Sequence, residues 1–434
     1  MQIVNVIGGG LAGAECAYYL AEHGVKVRLF DIKPIKNTPA HTSENYAELV
    51  CSNSLKSNDI YGNASGLMKQ EMRLLGSLII EAADKYRVPA GNALAVDREK
   101  FAQYITEKLK SHKNIEHVSK EVTTIDVNEI TVVASGPLTT DELSQNLTEL
   151  VGGKLSFFDA SAPVIDFESI DMNSAFFGDR YDKGSGDHIN CPMTKQEYLD
   201  FMQALTTAER AKLHDFEDAS VFEGCMPVEI MASRGQDTLR FGPLKPVGLT
   251  DPKTGRWAYA CLQLRKEDER GSMYNMVGFQ TNLTFGEQKR VFSIIPALKN
   301  AEYLRYGVMH KNTFINSPKL LNQDYSLKQY PNVYFAGQIT GVEGYVESAG
   351  SGLMTAIYLH ARLMGKEIQP ISEKTVLGAL SKYITTENKD FEPMNANFGI
   401  LPPPDRIIRD KAERKKYMAE RSLKEITKFK EMIQ

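Results

Sequence analysis

The sequence predicts an α/β fold: a Rossmann-like dinucleotide-binding domain with a mixed α+β, mostly antiparallel, substrate domain inserted into it. Three observations predict it. A strand, a glycine turn, a helix, a second strand and an acid follow one another between Met1 and Asp31. A second glycine-rich passage from strand to helix lies at residues 332–363. Between the two, from about Asp166 to Lys319, aromatic residues, Gly-Pro turns and alternating apolar runs replace the α/β pattern.

The first passage reads in order. Ile3-Val4-Asn5-Val6-Ile7 is a short apolar strand, and Gly8-Gly9-Gly10-Leu11-Ala12-Gly13 is a G-x-G-x-x-G turn. A helix runs from Leu11 to His23, and a second strand from Val25 to Phe30 ends at Asp31. Gly8 permits the tight turn, Gly10 lets the backbone approach a pyrophosphate, and Gly13 lets the helix pack close to the strand. The helix N-terminus offers free N–H groups and partial positive charge to the phosphates. Asp31 can accept from ribose hydroxyls and would repel a 2′-phosphate. The glycines alone fit a simple turn equally well; the flanking strands and the acid turn them into a dinucleotide site.

The bulk numbers bound the rest. The 434 residues suffice for two or three domains, and a net charge of −4 gives no global basic field toward nucleic acid. No apolar run is long enough to span a bilayer. The first strand begins almost at Met1, which leaves no room for a secretory signal, so a cytoplasmic location is expected. Five cysteines, Cys16, Cys51, Cys191, Cys225 and Cys261, form no C-x-x-C pair. Neither a metal site nor a disulfide framework is therefore expected.

After Asp31, Lys33-Pro34 ends the strand, and a polar, irregular stretch leads through His41 and Glu44 to residues 48–56. Loops at the carboxyl ends of parallel strands are where such folds keep their sites. Residues 67–86 have the periodicity of one amphipathic helix, broken by Val88-Pro89-Ala90-Gly91. Asp97 is the expected N-cap of a helix over residues 98–110. Short strands are expected at residues 116–119 and 122–125. Residues 130–137 form a further apolar strand with a small-residue turn. Flavoproteins often carry such a strand back to the dinucleotide; a plain buried strand fits the same residues.

In the second passage Asn332-Val333-Tyr334-Phe335-Ala336-Gly337 is a buried strand, and a helix is expected over residues 353–363. Gly337, Gln338, Gly350 and Ser351 are candidate cofactor contacts. A helix start here would stabilise the negative charge of a reduced isoalloxazine; a packing corner fits the passage taken alone. The tail, residues 406–431, carries ten Lys or Arg against five Asp or Glu. A solvated helix explains it, with an RNA-backbone contact as the minority reading. The expected division is 1–165 and 320–434 for the dinucleotide domain and 166–319 for the insert.

Three stretches go beyond a generic flavoprotein: Glu48-Leu49-Val50-Cys51-Ser52-Asn53-Ser54-Leu55, Phe222-Glu223-Gly224-Cys225-Met226-Pro227, and Gly337-Gln338-Ile339-Thr340-Gly341-Val342-Glu343-Gly344-Tyr345-Val346-Glu347-Ser348. With Arg305-Tyr306-Gly307-Val308-Met309-His310, Thr313-Phe314-Ile315-Asn316-Ser317-Pro318 and Pro393-Met394-Asn395-Ala396-Asn397-Phe398-Gly399, they make the chain resemble the TrmFO family nearly end to end. That family comprises folate- and FAD-dependent tRNA (uracil-5-)-methyltransferases. The related GidA (MnmG) family shares the glycine passages in a longer chain with a tail for a GTPase partner. This chain is too short for such a tail, so no obligate protein partner is expected.

The resemblance implies FAD, 5,10-methylenetetrahydrofolate and NADH or NADPH as cofactors. It implies transfer of the one-carbon unit, by way of reduced FAD, to C5 of a T-loop uridine in tRNA, without S-adenosylmethionine. It also implies two functional cysteines. Uracil C5 is a poor nucleophile, and a thiolate adding at C6 makes an enolate whose C5 can attack an electrophilic methylene. Cys225 is assigned as that nucleophile and Cys51 as an auxiliary acid–base or one-carbon-handling thiol. Cys16, Cys191 and Cys261 read as filler. Tyr345 and His310 are candidates to stack with the flat ligands, and core packing suits either as well. Glu343 and Glu347 are candidates for pterin or uracil N–H groups, or lie exposed. Arg240, Lys245 and Arg265 are candidates for tRNA phosphates. Two alternatives stay open: the same chemistry on large-subunit rRNA, and an NADH-linked flavin oxidoreductase acting on a small molecule. A third, a non-catalytic flavin-containing RNA-binding scaffold, predicts that flavin reduction leads nowhere.

Overall fold

Five parallel strands carry the first glycine turn: β1 (Ile3–Ile7), β2 (Lys26–Asp31), β3 (Ile115–Ser119), β4 (Thr131–Val133) and, after the insert, β11 (Val333–Phe335). Their order is β11-β4-β1-β2-β3. The computed structural model describes residues 2–38, 40–153, 155–182, 186–211, 226–267, 270–387 and 391–434. Val4, Val6, Val27, Leu29, Val132 and Val333 are buried, the apolar content expected of a parallel sheet covered on both faces. Helix α1 (Leu11–Glu22) follows the turn directly.

A second sheet is antiparallel throughout and takes all its strands from the middle of the chain: β5 (Val164–Asp166), β6 (Phe176–Phe177), β7 (Ile189–Met193), β8 (Ala260–Lys266), β9 (Met273–Met276) and β10 (Tyr303–Arg305). The order is β6-β7-β8-β9-β5-β10. Alternation sorts its two faces. Ile165, Ile189, Leu262, Leu264, Tyr274 and Met276 form a core with Tyr198 and Phe201 of a helix at Lys195–Thr207. Asn190, Gln263, Arg265 and Asn275 occupy the other face. A two-stranded antiparallel ribbon, Leu155–Ala160 with Met309–Phe314, leads into and out of this region.

The helices depart from the sequence expectation in instructive places. Residues 67–86 form two helices, α2 (Ala64–Leu74) and α3 (Leu78–Lys85). Gly76 turns the chain between them at φ +80°. Ser77 then caps α3, and Glu15 of α1 accepts the Leu78 and Ile79 N–H groups at 2.9 Å each. Helix α4 (Arg98–Lys110) has the expected Asp97 cap. Residues 122–125 form no strand; Val122 and Ile125 pack instead as half-buried side chains against the cluster around Ile7 and Val133. Helix α5 (Asp141–Val151) has no counterpart in the expectation. The helix expected from residue 353 begins eight residues earlier, as α6 (Tyr345–Leu363). It is followed by α7 (Val376–Thr385) and α8 (Lys411–Ile433). The basic tail is thus a helix with a buried seam of Met418, Ala419, Ser422, Ile426 and Phe429.

Candidate active site

The N-terminus of α1, the loop at residues 47–51 and the start of α6 line one cavity of about 1420 Å³, its open mouth included. Gly8, Gly9, Gly10, Leu11, Ala12, Asp31, Cys51, Gly337, Gln338 and Tyr345 all stand on its wall. Residues far apart in sequence meet there because parallel strands all end on the same side.

The glycine turn has one open and one closed side. A Cβ added at Gly10 would meet nothing within 4 Å, whereas one at Gly13 would lie 1.8 Å from the Gly8 carbonyl oxygen. The open side faces a helix N-terminus, where N–H groups lack intrahelical partners. Asp31 is oriented by two backbone donors: Gly9 N–H to Oδ2 at 2.7 Å and Lys33 N–H to Oδ1 at 2.9 Å. These residues fit the pyrophosphate and ribose of FAD. Lys33 and His41 share the wall. Burial pushes the Lys33 pKa down, opposed by Asp31 and Glu48, and burial with the Lys33 charge lowers His41.

Cys51 sits half-exposed on a loop pinned from three sides. Its backbone N–H donates to Tyr345 Oη at 2.6 Å, and Ser52 N–H donates to the same oxygen at 3.3 Å. Arg98, at the start of α4, donates to the Leu49 carbonyl at 2.9 Å and the Cys51 carbonyl at 3.3 Å. Arg265 of β8 donates to Ser52 Oγ at 2.6 Å and Asn53 Oδ1 at 3.2 Å. Buried Glu267 pairs with Arg98 at 2.5 Å. Arg98 and Arg265 thus hold the loop that carries the half-exposed thiol. Burial, and then Cys51, push the Tyr345 phenol up, with Arg98 opposing. Cys16, Cys191 and Cys261 are buried; burial raises all three thiols, Cys261 to about 12.

Other candidates are placed differently from their expectation. Gly350 packs toward Met68 and Leu377: an added Cβ would lie 2.5 Å from Met68 Cε. Ser351 Oγ accepts the Gly337 N–H at 3.1 Å, so it ties α6 to the strand end. Neither glutamate lies exposed. Glu343 is buried and accepts from Gln338 Nε2 at 2.8 Å. Glu347 is buried, pairs with Lys56 at 2.9 Å and accepts the Ala396 N–H at 3.0 Å. Arg265 holds the Cys51 loop and is not available at the surface for phosphates, while Arg240 lies over the Tyr259 ring at 3.7 Å and pairs with Asp237. Lys245 is exposed. His310 pairs by backbone register with Asp159, and its side chain lies outside the described residues. Cys225 lies outside them altogether. Sequence reasoning missed Arg98, which no motif marks. Among the described residues, no group of three or more His, Cys, Asp or Glu could hold a metal ion, and no helix is long and apolar enough to cross a membrane.

Comparison with known proteins follows the same lines. The family model for glucose inhibited division protein A matches residues 3–367. A protein of Acetivibrio thermocellus named methylenetetrahydrofolate–tRNA-(uracil-5-)-methyltransferase TrmFO is 56% identical over 431 residues, covering 99% of each chain. Like-named proteins of Fusobacterium nucleatum and Staphylococcus aureus are 54% identical, over 97% of each chain, and 53% identical, over 100% of each. The solved structure of Aquifex aeolicus GidA superposes with a TM-score of 0.71 at 16% identity, over 99% of this chain and 73% of that one.

Proposed function

The chain belongs to the TrmFO family, relatives of GidA, and on that premise we propose that it transfers the one-carbon unit of 5,10-methylenetetrahydrofolate to C5 of a T-loop uridine in tRNA, making 5-methyluridine. The relatives are named for tRNA, which favours tRNA over rRNA and over a small-molecule oxidoreductase. The observation that carries the reading is the shared cavity, in which the glycine turn, Asp31, Cys51 and Tyr345 line one space.

Gly8–Gly13 and the α1 N-terminus would hold the FAD pyrophosphate, Asp31 the adenosine ribose, and Gly337 and Gln338 the approach to the ring system. When bound, FAD would carry the one-carbon unit and electrons between folate and uracil. NADH or NADPH is the proposed source of the two electrons that take a methylene to a methyl. The protein supplies the thiols. We assign Cys225 to add at uracil C6, so that C5 gains enolate character and attacks the methylene; loss of the C5 proton then expels the thiolate. We assign Cys51, on the loop held by Arg98, Arg265 and Tyr345, as the second thiol, to exchange that proton or handle the one-carbon unit. A cytoplasmic location accords with a tRNA substrate.

The test incubates purified protein with NADH, methylene-labelled methylenetetrahydrofolate and unmodified tRNA or large-subunit rRNA. Labelled 5-methyluridine in tRNA alone is the expected result. Label in rRNA alone moves the substrate, and no label from a yellow protein that oxidises NADH overturns the methyl transfer.

A further inference from the structure

The antiparallel sheet turns its polar face toward the Cys51 loop, and one row on that face carries buried donors without acceptors. Register aligns Arg265 with Asn275, Asn275 with Val164, and Val164 with Arg305. Residues directly opposite across strands share a face. Arg265 donates to Ser52 and Asn53, which sets this face against the loop that holds Cys51. Asn275 is 3% exposed. Its Nδ2, and Nε and Nη2 of Arg305, have no hydrogen-bond partner among the described residues. Leaving a buried donor unpaired is costly, and more so when it is charged. All three groups are donors, so a single kind of ligand atom satisfies them: an oxygen acceptor. A guanidinium fork is best matched by an oxyanion.

The backbone beneath Arg305 is held firmly. A bulge separates Tyr303 from Arg305. Tyr303 and Tyr306 stack at 5.1 Å with planes 8° apart, and Phe285 stacks on Tyr306 at 4.6 Å. The Gln288 side chain both donates to and accepts from the Gly307 backbone. Val308 N–H donates to Ser161 Oγ at 3.0 Å, and Ser161 lines the cavity. Ser161 and Val164 are three residues apart, about 10 Å along an extended chain. The orphaned donors therefore stand at the far end of a row that begins at the Cys51 loop.

We infer that Arg305 and Asn275 bind a phosphodiester oxygen of the RNA adjoining the target uridine, when that uridine is turned out of its stack toward Cys51. The inference rests on the tRNA reading above and adds to it the residues that grip the backbone. Turning a base out loses its stacking and pairing, which new backbone contacts must offset.

The experiment measures binding of unmodified tRNA to full-length, FAD-loaded protein across a salt series, with FAD content and unfolding midpoint recorded on each preparation. Arg305→Gln should weaken binding about tenfold or more and reduce the slope of log affinity against log salt by about 0.7, one single-strand phosphate contact. Arg305→Lys should keep the slope and recover only part of the affinity, since an ammonium lacks the fork. Asn275→Asp should weaken binding by setting a carboxylate against the phosphate. A wild-type salt slope in Arg305→Gln overturns the assignment. So does a raised KM for methylenetetrahydrofolate with tRNA affinity unchanged, which would give these donors to the folate carboxylates. If Arg305→Gln fails to fold, wild-type tRNA affinity in Asn275→Asp overturns it equally. Failure of the functional reading shows separately, as wild-type protein that makes no 5-methyluridine.

Discussion

Tyr345 Oη takes the backbone N–H of Cys51 at 2.6 Å, joining residues 294 positions apart. The phenol thus holds the main chain that aims the thiol, and its ring lines the same cavity. Tyr345→Phe keeps the ring and removes the acceptor, leaving the Cys51 and Ser52 N–H groups unpaired at a cost of about 1–3 kcal/mol. Single-turnover methyl transfer to tRNA should fall by about tenfold to a hundredfold while FAD stays bound, and hydrogen exchange at Cys51 and Ser52 should quicken. Wild-type turnover in Tyr345→Phe would mean that the ring alone matters.

The cysteines offer a second check. Cys51 is half-exposed on a loop held by Arg98 and Arg265, whereas Cys16, Cys191 and Cys261 are buried with thiols raised by burial. Reactivity follows thiolate fraction and access. Brief treatment of native protein with iodoacetamide near pH 8 should modify Cys51 well ahead of those three, as read by peptide mass spectrometry. Equal labelling of Cys51 and Cys261 would remove the basis for treating Cys51 as the reactive thiol.

The glycine turn was legible because its signal is local: strand, glycines, helix and acid lie within one short run, and each has a stereochemical reason. What lay beyond reach depends on distant partners. The break between α2 and α3 rests on Glu15, which caps α3 from 62 residues or more away. The early start of α6 was hidden because Gly350 and Gly352 look like turn residues, yet Gly350 sits where Met68 and Leu377 leave no room for a side chain. Arg98 and Arg265 reach the Cys51 loop across 47 and 213 residues or so, and neither belongs to a periodic or motif signal. Glu343 and Glu347, expected to contact a ligand or lie exposed, are buried beside Gln338 and Lys56. Exposure of such a side chain depends on tertiary packing, which periodicity does not carry.

Gly10 and Gly13 separate binding from folding. Gly13→Ala would place a Cβ 1.8 Å from the Gly8 carbonyl oxygen, so it should lower the stability of the apoprotein and abolish FAD retention. Gly10→Ala meets no protein atom within 4 Å, so the apoprotein should keep its unfolding midpoint. Its methyl group would stand where a pyrophosphate approaches, and FAD affinity should drop by about tenfold or more. FAD absorbance per chain, set beside apoprotein melting, distinguishes the two. A Gly10→Ala protein with normal FAD content would move the pyrophosphate elsewhere.

Glu71 makes stability depend on pH in a direction opposite to that of an ordinary surface carboxylate. It lies fully buried on α2, accepts the Val376 and Leu377 N–H groups at the start of α7 and takes the Ser422 hydroxyl of α8. Burial pushes its carboxyl up to about 7, against those hydrogen bonds. Between about pH 4.5 and 7 the folded chain keeps a proton that the unfolded chain releases. The stability contributed by this group is therefore complete below pH 4.5 and is lost as pH rises through 7. A shift of this size corresponds to about 3 kcal/mol. Glu71→Gln is neutral at every pH and removes that dependence, whatever it does to the absolute value. Urea unfolding at pH 5 and pH 7.5 should show wild type losing about 2 kcal/mol more than Glu71→Gln over the interval. Equal losses in the two proteins would place the Glu71 carboxyl at an ordinary pKa, ionised at neutral pH and held by its three donors.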